Sequence, residues 1–365
     1  MKIKLLHFLL LPLLSILIFS SKIKRIMELC HLDACLYCYG DDMCQDVEKN
    51  LITLTYDSVT DIIYNLVSVK NVFFAKYKDK KVVLKKLEDE SDMEQDKSVI
   101  GSLNLEVLRS MSVGTNNYLS PFCVCDNETF EVLLGNIKYK TFEHVYTLLR
   151  INAEPVLLQI FNSRENYPVP HYYGACGRLV IEENCGRPLN DIEKFSWFDR
   201  AFVAYQLLQA AYNFTENHGQ FRLYLTDISP DNIVVNEDLK VRFIDLENGV
   251  LRSRAAGSFS FMNKHRTEHL ENTYYYSPSS LCGHHISDHN IYGVCMLLLS
   301  KSSPWPMMEG GLLHTPPMSI INEHNVLFKN IELCVDSENE LDRFELSDNI
   351  MSELKVMLSK HNINL

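Results

Sequence analysis

From residue 72 the chain reads Val-Phe-Phe-Ala-Lys-Tyr, then a polar Lys-Asp-Lys, then Val-Val-Leu-Lys. Two short β-type runs around a polar turn predict a hairpin, Val72–Tyr77 with Lys81–Lys85. Further on the period lengthens. Phe142, Val145 and Leu149 recur at three and four, which predicts a helix over TFEHVYTLLR, residues 141–150. EPVLLQIF and RLVIEENCG are compact apolar runs and read as strands, the second closing on Gly186. From Phe198 onward, Phe202, Tyr205, Leu208 and Tyr212 predict a buried helix. DHNIYGVCMLLL reads as another, and Leu346, Ile350, Leu354 and Met357 mark a terminal one. Residues 88–140 are polar and irregular and read as an insertion. The chain shows no internal repeat and no low-complexity tract. Strands first and helices afterwards predict an α+β protein of two lobes. The small β-rich lobe spans 61–184, insertion included, and the mainly helical lobe spans 185–365.

The first residues add a compartment. Lys2 and Lys4 precede an apolar run, Leu5 to Phe19, broken by His7 and Pro12 and followed by Ser20 and Ser21. The run is short for a bilayer span, so residues 1–20 read as a signal peptide. A signal anchor is the competing reading, because Lys22, Lys24 and Arg25 lie just beyond. An uncleaved leader would tie the chain to a membrane. Residues 21–60 are cysteine-rich, with Cys30, Cys35, Cys38 and Cys44 close together. In an oxidising lumen these are disulfide candidates; in a reducing one, CLYC would suggest zinc. The total of 11 cysteines is odd, so at least one thiol is free or bridged to another chain. Asn127-Glu-Thr and Asn213-Phe-Thr are sequons that a glycoprotein could use. The formal charge of −12 argues against nucleic acid as a partner.

The candidate chemistry lies in LTDISPDNIVVNEDLKVRFIDLENG, residues 225–249. Asp227 and Asn232 are separated by four residues, and Asp245 follows a short β run. The spacing alone is a weak match whose ordinary reading is an Asx turn. In phosphoryl transfer, the first Asp would accept or orient a hydroxyl proton. Asn232 and Asp245 would ligate metal, as hard oxygen donors suited to Mg²⁺ or Mn²⁺. A lysine on a strand holds the α- and β-phosphates in such sites, and Val82-Val83-Leu84-Lys85 has that form. Its helical carboxylate partner is Glu143, with Glu106 as the rival. RLVIEENCG has the position of a strand and hinge that bind adenine through backbone groups. Asp288, at the start of a buried helix, has the spacing of a residue that caps the catalytic-loop backbone.

Taken together, LDACLYCYGDDMC, EPVLLQIF, YYGACGRLV, YLTDISPDN, FIDLEN, DHNIYGVC and GGLLHTPP resemble the divergent protein kinase domain family of the secretory pathway, in particular the deleted-in-autism group. The resemblance runs from about residue 30 to the end. It implies a protein kinase-like bilobal fold, a signal peptide, and residence in the Golgi lumen or secretion. ATP with Mg²⁺ or Mn²⁺ is the cofactor to expect. Its partner would be a protein or glycan acceptor, or a cell-surface receptor.

The sequence also departs from the kinase pattern. NLVSVKNVFF, ahead of the hairpin, contains no glycine, so backbone amides are not set to wrap phosphates closely. Leu225-Thr226 replaces His-Arg before Asp227, and Leu246-Glu247 replaces Phe-Gly after Asp245. Tyr276-Ser277-Pro278 stands roughly where Ala-Pro-Glu would close the activation segment. Two functions stay open: an atypical kinase, or a catalytically inactive pseudokinase acting as a secreted ligand or Golgi scaffold.

Overall fold

A computed structural model describes residues 26–35, 38–67, 71–86, 102–114, 122–138, 141–255, 264–269, 276–336, 341–361 and 363. The leader expected over 1–20 lies outside them. Thirteen strands run in chain order among the described residues: β1 Ile52–Leu54, β2 Val72–Tyr77, β3 Lys80–Lys86, β4 Phe122–Val124, β5 Tyr172–Cys176, β6 Leu179–Glu183, β7 Arg187–Pro188, β8 Phe221–Leu225, β9 Ile233–Val235, β10 Val241–Phe243, β11 Gly249–Ser253, β12 Lys264–His265 and β13 Ile286–Ser287. The helices are α1 Ile26–Cys30, α2 Cys44–Glu48, α3 Val59–Val67, α4 Leu105–Ser112, α5 Asn127–Asn136, α6 Phe142–Tyr146, α7 Glu154–Ile160, α8 Trp197–Tyr212, α9 Pro278–Gly283, α10 His289–Val294, α11 Met318–Glu323, α12 Asn325–Val335 and α13 Arg343–Lys360. No described helix is long and apolar enough to cross a membrane.

The chain divides into two compact units. The first draws on Met1–Gly101 and Tyr172–Asn184, the second on Ser102–His171 and Cys185–Leu365.

The first unit is built on a five-stranded antiparallel sheet in the order β1-β2-β3-β6-β5. The hairpin β2–β3 forms where the pattern places it, turning through Lys78 at a left-handed φ of 55°. Strand alternation sends Phe73, Ala75, Val82 and Leu84 to one face, where they join Leu29, Cys30, Val47, Ile52, Cys176, Leu179 and Ile181 in the core. Strand β5, Tyr172–Cys176, leads straight into the turn before β6. The turn proper is Gly177–Arg178, where Gly177 has φ 62° and a Cβ would stand 2.0 Å from the Cys30 carbonyl oxygen.

The second unit is mainly helical. Helix α8 starts at a capping box, with Ser196 and Asp199 each accepting from the other's backbone N–H. It buries Ala204, Leu207, Leu208 and Ala211 fully. Phe202, Tyr205 and Tyr212 flank that seam, half-buried. The expected helix is present with its contact face turned toward the small side chains, which allow closer approach. Helix α10 continues through a π-helical turn, Cys295–Leu299, with every residue buried. Helix α13 buries Leu346, Ile350, Leu354 and Met357 as their spacing predicts.

EPVLLQIF is a helix, α7, rather than the expected strand. The Asn152 side chain accepts from the Glu154 N–H at 2.9 Å, and Pro155 sits in the first turn, where its missing N–H costs nothing. The stretch expected to be irregular, 88–140, holds two capped helices and a strand among its described residues. Asn104 caps α4, Asp126 caps α5, and β4 pairs in parallel with β11. The remaining sheets are β4-β11-β8, β10-β9-β7 and the pair β12-β13.

Disulfides join Cys35–Cys38, Cys44–Cys176, Cys125–Cys282 and Cys295–Cys334. The first takes both cysteines of CLYC, so the zinc reading gives way to the disulfide one. Cys30, Cys123 and Cys185 stand outside these bonds.

Candidate functional site

The second unit brings three of the sequence-predicted residues together. Asp227 follows β8, Asn232 ends the single 3₁₀ turn Pro230–Asn232, and Asp245 follows β10. β9 and β10 pair antiparallel, with Val241 opposite Val235 and Phe243 opposite Ile233. That ladder brings the chain after β10 back beside the turn before β9. Hydrogen bonds then fix the three segments to one another. The Asn232 side-chain amide donates to the Asp227 carbonyl at 3.2 Å, and the Ile244 N–H donates to the Asn232 carbonyl at 2.9 Å. Asn248 donates to Asp227 Oδ2 at 3.4 Å. Asp227 is exposed, while Asn232 and Asp245 are half-buried.

Asp245 has φ 56°, a left-handed conformation that a non-glycine residue adopts only when its surroundings over-determine it. Here the surroundings include Glu154, the first residue of α7, which is 1% exposed. Its Oε1 accepts the Asp245 N–H at 2.7 Å and faces the Leu246 N–H at 3.4 Å. A carboxylate taken out of water for this purpose holds the backbone of Asp245 in place.

Carboxylate oxygens of Glu154, Asp245 and Glu247 lie within 4.8 Å of one another. Three such groups at that spacing repel when ionised. Hard oxygen donors in this number suit a divalent cation of the Mg²⁺ or Mn²⁺ kind. Glu247 replaces a residue that would carry no charge in the kinase pattern, so its position against this pair is a property of this sequence.

The strand leading to Asp227 is held from below by α10. Asn290, fully buried, accepts the Leu225 N–H at 2.8 Å and donates to the Leu223 carbonyl and to Thr215 Oγ1, at 2.8 and 2.9 Å. His289 Nε2 lies 3.0 Å from the Leu225 carbonyl. That carbonyl can only accept, so Nε2 carries the proton. Burial pushes the imidazole pKa down to about 3. The spacing along the chain assigns this capping duty to Asp288. Asp288 accepts instead from the Thr267 N–H at 2.8 Å and pairs with the buried Arg343 at 2.8 Å. The residues that hold the loop are one and two positions further along, because the helix start turns Asp288 toward α13 and its neighbours toward β8.

Lys85 belongs to the first unit. It is 6% exposed, on β3, and its Nζ lies 3.4 Å from Glu182 Oε2 on the adjacent strand β6. The carboxylate beside Lys85 in its own sheet is therefore a strand residue. Glu143, the expected helical partner, lies half-buried on α6 in the second unit, and the rival Glu106 is exposed on α4 in the same unit. The sequence missed Glu154 and Glu182. Glu182 ends the apolar run Leu179–Ile181 and is followed by a second glutamate, in the strand singled out as an adenine hinge. Glu154 carries a helix-start signal in Asn152-Ala-Glu-Pro, which the apolar run after it obscured.

A β-rich unit with a buried strand lysine, and a helical unit that carries an Asp, an Asn and a second Asp in the turns flanking the paired strands β9 and β10, define a protein kinase-like fold. The family model described as the protein-kinase domain of FAM69 matches residues 145–337, more than half of the 365-residue chain, and the chain belongs to that family of divergent kinases. Divergent protein kinase domain 2A of Mus musculus is 27% identical over 388 residues, covering 91% of this chain and 88% of the relative. The Homo sapiens form is 27% identical, with coverages of 88% and 86%. Divergent protein kinase domain 2B of Bos taurus is 33% identical over a shorter stretch of 121 residues, 31% of this chain and 28% of the relative.

Proposed function

We propose that the chain binds ATP with Mg²⁺ or Mn²⁺ and transfers a phosphoryl group to a protein or glycan acceptor in the Golgi lumen or after secretion. The observation that carries this reading is the cluster of Asp227, Asn232 and Asp245, whose segments are tied together by side-chain and backbone hydrogen bonds and braced by the buried Glu154. In this reading Asn232 and Asp245 hold the metal. Asp227, exposed toward solvent, orients the acceptor hydroxyl and takes its proton. Lys85, in the sheet of the first unit, serves the phosphates. A cation among the carboxylates would supply charge neutralisation for the transferring group.

The test is metal-dependent ATP turnover by the purified chain and its Asp227→Asn variant. Asn keeps the shape and loses the basic oxygen. Turnover should fall by about 100-fold or more, with nucleotide binding retained. Undiminished turnover in that variant would remove Asp227 from the chemistry.

A second reading is favoured by two sequence facts: no glycine lies between Asn65 and Phe74, and Glu247 adds negative charge at the metal-binding position. In that reading the chain is a pseudokinase that acts as a secreted ligand for a cell-surface receptor, or as a Golgi scaffold. It expects no turnover, and full activity on cells from the Asp227→Asn variant.

A further inference from the structure

The segment GGLLHTPP, residues 310–317, has no part in the carboxylate cluster. It forms one wall of a cavity of about 450 Å³ in the second unit. Leu299, Leu313, Pro316, Ile321, Phe328 and Ile331 line that cavity, a largely apolar set in the size range of small-molecule sites.

The walls are fixed by bonds of their own. Gly311 turns the chain at φ 79°, where a Cβ would stand 2.4 Å from the Leu299 carbonyl oxygen. The buried Arg200 of α8 donates to the carbonyls of Leu312 and His314 at 2.8 and 3.1 Å. Trp197 Nε1 donates to the Leu313 carbonyl at 3.2 Å. Three consecutive carbonyls of the wall are thus satisfied by α8, and its side chains supply the lining. A second wall is α12, where the lining residues Asn325, Phe328 and Glu332 recur at three and four on one face. The disulfide Cys295–Cys334 ties α12 to the π-helical turn that ends at Leu299.

The apolar lining reaches solvent at the mouth. Phe328 is half-buried and Ile321 is 38% exposed. Met318, three residues before Ile321 on α11, is 69% exposed and extends that apolar surface. Apolar surface open to water is stabilised by being covered. The charged groups of the lining are Lys301, exposed, and Glu332, half-buried. The Lys301 N–H donates to Glu332 Oε1 at 3.1 Å, which sets the two residues at the same edge. His314 adds no charge at pH 7, because burial and Arg200 hold its imidazole below the ordinary 6.5. A charged head group at this edge would meet a like charge as well as an opposite one. A neutral group that both donates and accepts suits both.

We propose that this cavity binds an uncharged amphiphile of the neutral single-chain lipid class, its tail against Leu313, Ile321 and Phe328 and its hydroxyl or amide head between Lys301 and Glu332. The site shares no residue with the carboxylate cluster and does not depend on phosphoryl transfer.

The experiment is calorimetric titration of the full chain with decanol, decanoate and decylamine, which share a tail and differ in head charge. Decanol should bind saturably, at least about fivefold tighter than either charged probe, with the negative heat-capacity change of apolar burial. Ile321→Glu places a charge on the lining at a part-exposed position, and it should weaken decanol at least about tenfold. Glu332→Gln removes the repulsion on decanoate, which should then bind about as tightly as decanol; Lys301→Gln should do the same for decylamine. No saturable decanol binding, or undiminished binding in Ile321→Glu, would overturn the site. Equal affinity of the wild type for all three probes would overturn the neutral head. Should Ile321→Glu fail to fold, Asn325→Trp, at an exposed position of the lining, fills the same cavity by bulk and decides in its place.

Discussion

Lys85 and Glu182 are both buried and lie on neighbouring strands of one sheet. Neutralising Glu182 breaks a buried ion pair, so Glu182→Gln should lower stability by about 3–5 kcal/mol. Urea unfolding measures this, and a change under about 1 kcal/mol would show that water reaches the pair. His289 sets a pH dependence. Its folded pKa of about 3 lies below the ordinary 6.5, because burial excludes the charged ring. As pH falls through 6.5, the unfolded chain gains a proton that the folded chain refuses. Stability is therefore whole above about pH 6.5 and is lost down to about pH 3, by roughly 1.4 kcal/mol per unit in between. Urea midpoints at several pH values should show that slope, and His289→Gln should flatten it by this one group's share. Legibility at this scale follows side-chain chemistry. Asp227, Asn232 and Asp245 stand in polar, turn-forming sequence and could be found by spacing. Glu154, Glu182 and Asn290 are buried polar groups at the edges of apolar runs, and their purpose appears only once the partners they satisfy are in place.

At the scale of elements, α7 carries the lesson. Seven residues of EPVLLQI fit a buried strand or a buried helix equally well by hydrophobicity, and only the Asn-x-Glu-Pro start distinguishes them. The distinction matters, because a helix start at this point aims Glu154 at the Asp245 backbone. Glu154→Gln retains an oxygen acceptor for that N–H, so stability should change by no more than about 1–2 kcal/mol. Metal affinity should fall at least tenfold if the carboxylate ligates the ion, as read out by titrating Mn²⁺. Glu154→Ala should lose both. A Glu154→Gln variant with full Mn²⁺ affinity would confine Glu154 to its backbone role. The other elements divide in the same way. The β2–β3 hairpin and α13 have strong periodicity and a clear turn or long run, so sequence places them. Helices α4 and α5 are short and capped within a polar stretch, where caps were a better guide than hydrophobic period.

Across the whole molecule, composition and cysteine count set the broad frame, and the disulfides then fill it. Three bonds close loops with sequence separations of 39, 132 and 157 residues. Such long loops restrict the unfolded chain strongly, by about 4–5 kcal/mol each in the chain-entropy account. Their pairing was not legible, since Cys44 and Cys176 meet only when α2 packs beside β5. The two-unit α+β organisation was legible from the order of strands and helices. The membership of the units was legible only in part: Tyr172–Asn184 joins the sheet unit as expected, whereas residues 102–171 join the helical one. The central claim is that the Asp245 cluster is a metal–nucleotide site. The most direct test is the melting temperature of the purified chain with ATP and Mn²⁺, beside Asp245→Ala. A rise of a few degrees that requires both ATP and Mn²⁺ and is absent in the variant is expected. No rise in the wild type, or an equal rise in both proteins, would contradict it.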